Sequence, residues 1–404
     1  MSDFANDLAR GMAEEVARRS YGKLIAFLSA RTRDVAAAED ALSEAFATAL
    51  ADWPVKGCPS NPEGWLLTVA RRRAIDMARG RLRGEMAVDQ LQLIATANDD
   101  SEIPDQRLAL MFVCAHPAIE AGIRAPLILQ VVMGLDAKTI ASAFLTSPVA
   151  MSKRLVRAKD KIRTAGIPFR VPERAELAGR LDTVLDAIYA AFAEGWTDVV
   201  RYDLTGEALF LARLATQLLP EEPEALGLLA LMLHAESRRR ARRDASGEYV
   251  PLAEQDSGLW DSQMIAEAEV LLHRASKVGV IGRYQLEAAL QSAHADRCRT
   301  GRSNWAEVVQ LYDALFALHM SPVVAINRAL AIGEMQGAGA GLAAMEIAAA
   351  DERVVQYQPY WAARAELLAK SGARDEARRA YDMAIGLESD AAVRSFLQRR
   401  QSYC

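Results

Sequence analysis

Apolar residues along this chain recur at three- and four-residue spacing, and alternating β-branched stretches are almost absent. That spacing lays one apolar stripe along a helix, so the pattern predicts helix after helix and no sheet. Over residues 8–50 it predicts two or three helices. Tyr21, Leu24, Ile25 and Leu28 share a stripe, a turn falls near Arg33 and Asp34, and a helix follows through Ala38–Leu50. Pro54, Gly57, Pro59, Pro62 and Gly64 make 53–64 a loop. At its end Asn61 suits a helix cap, Pro62 the first helical position and Glu63 the positive end of the helix dipole. The helix so announced runs from Trp65 to about Arg83.

Residues 84–106, with Asn98, Asp99, Asp100, Ser101 and Pro104, read as a linker. A second helical unit covers 107–166, and Pro168 and Pro172 mark its far boundary. From 167 to 404 the chain continues as helices broken near Pro220/Pro223, Gly247–Pro251, Gly279–Gly282 and Gly337–Gly341. Residues 358–392 predict a helix pair: Ala362, Ala365, Leu367 and Leu368 precede a turn at Gly372, and Ala377, Ala380, Tyr381 and Ala384 follow it. Residues 205–240, with Ala208, Leu211, Ala212, Leu214 and Ala215, look alike. Small residues let paired helices pack closely, as in tetratricopeptide-like repeats, whose stack offers a concave groove. Such a groove suits a peptide partner, a clamp on the preceding domains or plain structural support.

The 404 residues exceed one ordinary core, and 51% hydrophobic with 25% charged residues is a soluble globular balance. Residues 1–165 hold 22 basic and 20 acidic side chains, the remainder 26 and 33. The net charge of −5 argues against coating nucleic acid non-specifically, yet it permits local basic stripes. Cys58, Cys114, Cys298 and Cys404 form no C-x-x-C pair, which points to reduced thiols. No signal-peptide core or membrane-length apolar run is present, so a cytoplasmic protein without membrane contact is expected.

Two stretches carry chemistry. The helix after Trp65 bears Arg71, Arg72, Arg73, Arg79, Arg81 and Arg83 against Asp76 alone. So many guanidinium groups need an anionic partner or abundant water; phosphate contact on DNA and a solvated arginine face both satisfy that. In the loop before it, Lys56, Ser60, Asn61 and Trp65 are suited to hold unstacked bases, though Trp65 opens an amphipathic helix and equally suits a core anchor.

The clearer signal lies at 134–162. Asp136 caps a short helix bearing Ile140, Ala141 and Phe144, Thr146 makes a turn, and Ser147 with Pro148 starts a second helix. On it Met151, Leu155, Ala158 and Ile162 form the buried stripe, while Lys153, Arg157 and Lys161 form a basic one. That is the layout of a helix-turn-helix, whose second helix enters the major groove. Ser147, Ser152, Lys153, Arg154, Arg157 and Lys161 are the candidates for base-edge and phosphate contact. A plain helical hairpin with a charged outer face is the alternative.

Other features point less far. His116, His234, His273, His294 and His319 are dispersed without metal-ligand spacing, so no metal and no cofactor is expected. The run Arg238, Arg239, Arg240, Arg242 and Arg243 reads as a solvated helix end or as partner to Glu254 and Asp256. An enzyme around Glu194, His234 and Asp256 would need those groups to converge.

Taken together, the two helical units resemble extracytoplasmic-function sigma factors of RNA polymerase. Residues 8–83 resemble sigma region 2. Ala38-Glu39-Asp40-Ala41-Leu42-Ser43-Glu44-Ala45-Phe46 stands close to A-E-D-x-x-Q-E-x-F, and Trp65 through Arg79 close to W-L-x-x-I-A-R-N-x-A-I-D-x-x-R. Ser43 replaces the usual Gln and Arg72 the usual Asn. Residues 107–166 resemble sigma region 4. The stretches Arg107–Ile119, Glu254–Asp261 and Ser321–Ala329 resemble a subgroup with a C-terminal tetratricopeptide-like extension, which has Arg where this chain has Ser257.

The resemblance implies an all-α chain. Region 2 occupies 1–83, a linker 84–106, helix-turn-helix region 4 107–166 and a tetratricopeptide-like regulatory domain 167–404. It implies a non-enzymatic factor that binds core RNA polymerase at the β′ clamp and β flap and directs initiation at promoter DNA. Glu39, Asp40, Ser43, Glu44 and Phe46 are then the polymerase contacts. Lys56, Ser60, Asn61, Trp65, Arg71, Arg72, Arg73 and Arg79 meet the −10 element, and the helix from Ser147 meets the −35 element. A stand-alone helix-turn-helix regulator is the rival; it has no use for the Glu39–Phe46 block.

Overall fold

A computed structural model describes residues 2–81, 104–144, 146–197 and 202–404. Among them every named element is a helix, and the one β-type pairing is an isolated bridge between Arg243 and Tyr249. The chain divides into two compact units, 1–215 and 216–404.

The first unit opens with α1 (Ser2–Thr32), α2 (Val35–Lys56) and α3 (Pro62–Arg81). The turn falls where the sequence placed it: Arg33 takes a left-handed φ of 52°, and Asp34 accepts a hydrogen bond from the Ala37 amide at 3.0 Å. One boundary is corrected. The loop expected from residue 53 starts only at Gly57, because α2 continues through Pro54 to Lys56. Trp53 is buried and meets Trp65 edge-on at 5.5 Å, and the Gly57 amide closes on the Trp53 carbonyl at 3.0 Å. The buried indole holds a turn that Pro54, lacking an N–H, would otherwise weaken. The Asn61 side chain then caps α3 by accepting from the Gly64 amide at 3.0 Å.

Four shorter helices follow: α4 (Arg107–Cys114), α5 (Ala121–Val131), α6 (Ala137–Ala143) and α7 (Pro148–Thr164). Asp136 caps α6 through the Thr139 amide at 2.7 Å, and Ser147 caps α7 through the Ala150 amide at 3.2 Å. The stripe of Met151, Leu155, Ala158 and Ile162 is buried, as are Ile140 and Ala141. Phe144, expected on α6, lies one residue past its end and is exposed.

These helices do not stand apart from α1–α3. The pattern read two separated modules, but both belong to one compact unit. Gly22, in the middle of α1, sits against the Val132 carbonyl, where any Cβ would collide with backbone. Glycine there costs helix propensity, about 1 kcal/mol relative to alanine, and permits the close approach.

Two further helices, α8 (Arg174–Thr197) and α9 (Tyr202–Leu218), complete this part of the chain. α8 packs on α4 and α5. Arg107 is buried, pairs with Asp105 and Glu207, and stacks 4.5 Å over Phe210. Residues 167–215, expected to open the last module, fall within the first compact unit, where Glu207 and Phe210 meet Arg107.

The second unit is a succession of helices that pack mostly on their neighbours in the chain. They are α10 (Pro223–Ser237), α11 (Ser262–Lys277), α12 (Arg283–Thr300), α13 (Trp305–Leu318), α14 (Pro322–Gln336), α15 (Ala338–Ala349), α16 (Gln358–Ser371), α17 (Arg374–Leu387) and α18 (Ala391–Ser402). The expected pair at 358–392 is present as α16 and α17 around Gly372, whose φ of 85° ends α16. Ala365, Leu368, Ala377, Ala380, Tyr381 and Ala384 form one buried cluster. The arginine run is anchored rather than free. Arg238 donates to Gln291 at 2.5 Å, Arg239 to Glu236 at 2.8 Å and Arg243 to Asp390 at 2.5 Å, while Glu254 lies 3.6 Å from Arg400.

Candidate nucleic-acid interface

The outer side of α7 is built by elimination. Its apolar stripe is consumed by the core, and on the opposite side Val149, Ser152, Lys153, Val156 and Arg157 are exposed. Val149 is 66% and Val156 55% exposed, on a helix whose larger remaining apolar side chains, Met151, Leu155 and Ile162, are buried. Two cations, one hydroxyl and two small apolar groups suit what a major groove offers, acceptor edges and thymine methyl groups with phosphates alongside, while Asp160, also exposed on this side, is paired with Arg163 at 3.1 Å. The valines escaped the sequence reading, although their i, i+7 spacing with Ser152 between was visible. Ser147 is used as the cap, Arg154 is half-buried, and Lys161 is exposed.

Lys159, not singled out from sequence, faces inward. It pairs with Glu39 of α2 at 2.6 Å, with the side chains only 11% and 17% exposed, and Arg163 lies 3.7 Å from Asp34. Burial raises the Glu39 pKa, and the Lys159 charge offsets only part of that rise. The fully buried Cys114 thiol is pushed up as well, mainly by desolvation and also by Glu39. Glu39 is therefore corrected out of the expected polymerase-binding set: it lies between α2 and α7. Asp40, Ser43 and Glu44 are exposed on α2, and Phe46 is half-buried.

The arginine helix is mixed. Arg72 is exposed, Arg73 pairs with Glu44 at 3.1 Å, and Arg71 lies half-buried with its guanidinium 5.1 Å from the Phe27 ring. Arg71 is thus corrected from an outward DNA contact to one turned toward α1. The Arg79 side chain, Arg83 and most of the expected linker at 84–106 lie outside the described residues. Lys56 is exposed beside Asp52 at 2.7 Å, and Ser60 is exposed. Asn61, exposed, serves as the cap of α3, and Trp65, half-buried, packs against Trp53, as the core-anchor alternative has it.

In the second unit His234 is buried with Nε2 3.5 Å from Glu269. Desolvation, then Arg238 and Arg299, push its pKa down to about 4, so the ring is neutral and the contact is not an ion pair. Asp256 is occupied in capping Gly258 at 2.8 Å, and the Glu194 side chain lies outside the described residues. Among the described residues no group of three His, Cys, Asp or Glu side chains is placed to hold a metal, and no helix is long and apolar enough to cross a membrane.

Comparison with known proteins places two families on the chain. Residues 16–84 match sigma-70 region 2, which covers most of α1, all of α2 and all of α3. Residues 180–276 match a family of unknown function, DUF6596, from within α8 to the end of α11. An uncharacterized protein of Rhizobium meliloti (strain 1021) is 39% identical over 381 residues, spanning 91% of this chain and 89% of its own. No solved structure matches the chain.

Proposed function

From the premise that this chain belongs to the same family as the Rhizobium meliloti protein and carries a sigma-70 region 2, we propose that it is a sigma factor of the extracytoplasmic-function type. The sigma-70 region 2 match is the observation that carries the reading, because that region supports a transcription-initiation factor. Asp40, Ser43, Glu44 and Phe46 on α2 dock on the β′ clamp of core RNA polymerase. Ser60, Arg72, Arg73 and the neighbouring Lys56 meet the opened −10 element. Helices α4–α7 act as region 4, touching the β flap and reading the −35 duplex through the outer side of α7. Its inner side is taken by Glu39 and Asp34, and the outer side is left to solvent.

The helices from α10 onward act as a tetratricopeptide-like regulatory domain with a peptide or protein partner. The factor works in the cytoplasm and performs no chemistry of its own. In-vitro transcription with purified core enzyme, followed by start-site mapping, tests the reading. Transcripts from discrete start sites that disappear with Asp40→Arg plus Glu44→Arg support it. A chain that binds duplex DNA but never joins core enzyme refutes it. For the last domain, deleting 216–404 should change promoter output in cells; unchanged output removes the regulatory role.

A further inference from the structure

One flank of α7 lies between the core stripe and the outer surface, and it shares Arg157 with the outer surface. Arg154, Arg157 and Lys161 stand at i, i+3 and i+7, so they share one flank of the helix. Facing them is the segment that leads into α5. Between the two lies a cavity of about 210 Å³, lined by the three cations, Glu120, Ile119 and Ile123 among others. One carboxylate answers three cations: Glu120 accepts from Arg154 Nη2 at 3.0 Å. Gly122 makes room for that contact, because a Cβ there would stand 3.2 Å from the same nitrogen. The guanidinium therefore lies folded back over the first turn of α5.

This pair is weakly held. The Glu120 side chain is 73% exposed and that of Arg154 33%, and ion pairs so open to water are easily exchanged. The cavity retains an excess of positive charge with Glu120 in place. Its volume falls below the roughly 300–1,000 Å³ of pockets that enclose drug-sized ligands, so a single small anion fits better than an organic molecule. A groove-reading helix is flanked by backbone phosphates, and this flank adjoins the outer side of α7.

We propose that Arg154, Arg157 and Lys161 form a seat for one DNA backbone phosphate, and that Glu120 is a built-in competitor for it. The inference rests on the reading of α7 as a duplex-binding helix. In the free protein Glu120 holds Arg154. On a duplex the phosphate takes its place, two acceptors exchange on one guanidinium, and the carboxylate returns to water. Glu120 thereby lowers affinity for any phosphate chain by a similar factor, weakening sequence-independent and sequence-specific binding alike.

The test uses the full chain, in holoenzyme and alone, on a duplex carrying the mapped −35 element and on a scrambled duplex. Salt is varied from 50 to 200 mM, roughly the range over which counterion release is read. Glu120→Gln is expected to bind both duplexes about 3- to 10-fold tighter and by similar factors, with a salt slope steeper by about one phosphate. In an Arg154→Ala background the same change should do nothing. An unchanged melting midpoint for Glu120→Gln excludes a folding effect.

If Glu120→Gln binds like the parent, or if its gain survives without Arg154, the proposal is overturned while the reading of α7 stands. If the parent binds no duplex and Lys153→Ala is equally silent, the reading of α7 falls and takes the seat with it. Titration with inorganic phosphate separates the remaining source. Saturable binding lost in Lys161→Ala, with duplex affinity indifferent to Glu120, would assign the cavity to free phosphate and overturn the backbone assignment.

Discussion

α3 and α7 are both dense in positive charge, and folding sorts their cations differently. On α3, three consecutive arginines part company: Arg71 turns toward Phe27, Arg73 pairs with Glu44 and Arg72 stays in water. On α7 the division runs by side. Lys153, Arg157 and Lys161 are exposed, whereas Lys159 is enclosed against Glu39 of α2, and Arg163, though exposed, is shared between Asp160 at 3.1 Å and the α2 cap Asp34 at 3.7 Å. A basic residue's role is therefore set by the nearest carboxylate that the fold supplies, and counting charges along a helix overstates its binding surface. Only cations left without such a carboxylate keep their counterions to release on binding DNA.

The largest test of this contrast sets two lysines of one helix against each other. Lys159→Met leaves Glu39 ionised and half-enclosed without its partner, and removing one member of a buried pair costs about 3 kcal/mol. Lys153→Ala touches an exposed side chain and should stay within about 0.5 kcal/mol. Hydrogen exchange of the α2 and α7 amides reads both as local opening energies. Equal effects would mean that burial does not divide the two sides of α7.

DNA binding should rank the same lysines in the opposite order. Lys153→Ala is expected to lose about 1–3 kcal/mol of affinity for the mapped −35 duplex and to relax the choice of base beside it. Lys159→Met should keep the salt slope of the parent, since its ammonium never faced the duplex. Anisotropy titrations at several salt concentrations measure both quantities at once.

Much of this unit was legible in the chain. The caps at Asp34, Asn61, Asp136 and Ser147 are local events, decided by side chains within three residues, and the buried stripe of α7 follows from one helix's own period. What escaped was non-local. Glu39 and Lys159 are 120 positions apart and meet because α2 packs against α7. Nothing in the spacing of either helix marks that encounter. Trp53 was hidden for a related reason: Pro54 argued for a loop, and the extra turn is held by burial of the Trp53 ring against the distant Trp65 as well as by the Gly57 amide. In the arginine run after α10 the composition suggested solvent, while partners arrive from α12 and the start of α18.

A smaller effect separates Arg72 from Arg73. Arg72→Ala should weaken binding to a forked −10 template and lower the salt slope by about one, with stability unchanged within about 0.5 kcal/mol. Arg73→Ala removes an exposed pair, with both side chains about half exposed, and should cost well under 1 kcal/mol of stability. It also frees Glu44, so its effect should appear in affinity for core polymerase more than in the DNA slope. Identical behaviour of the two variants would erase the distinction drawn on α3.

The smallest effect concerns pH and carries a sign opposite to the usual carboxylate. Desolvation raises the Glu39 pKa above its ordinary 4.5, Lys159 offsets part of this, and Asp40 and Asp34 add to the rise. The folded chain thus binds this proton at a pH where the unfolded chain has already lost it. Across that window, from the raised value down to 4.5, the folded state holds more protons, so its stability gains as pH falls. An exposed, well-paired acid with a depressed pKa would lose stability over its own window instead. Glu39→Gln removes the titrating group and should flatten this component. Lys159→Met removes the charge that restrains the rise, and should start the gain at higher pH. Exchange rates of the α2 amides, taken in steps from about pH 7 to about pH 5, distinguish the three chains. A parent whose α2 loosens steadily on acidification, with Glu39→Gln unchanged from it, would show that Glu39 and Lys159 are no more enclosed than the cations on the outer side of α7.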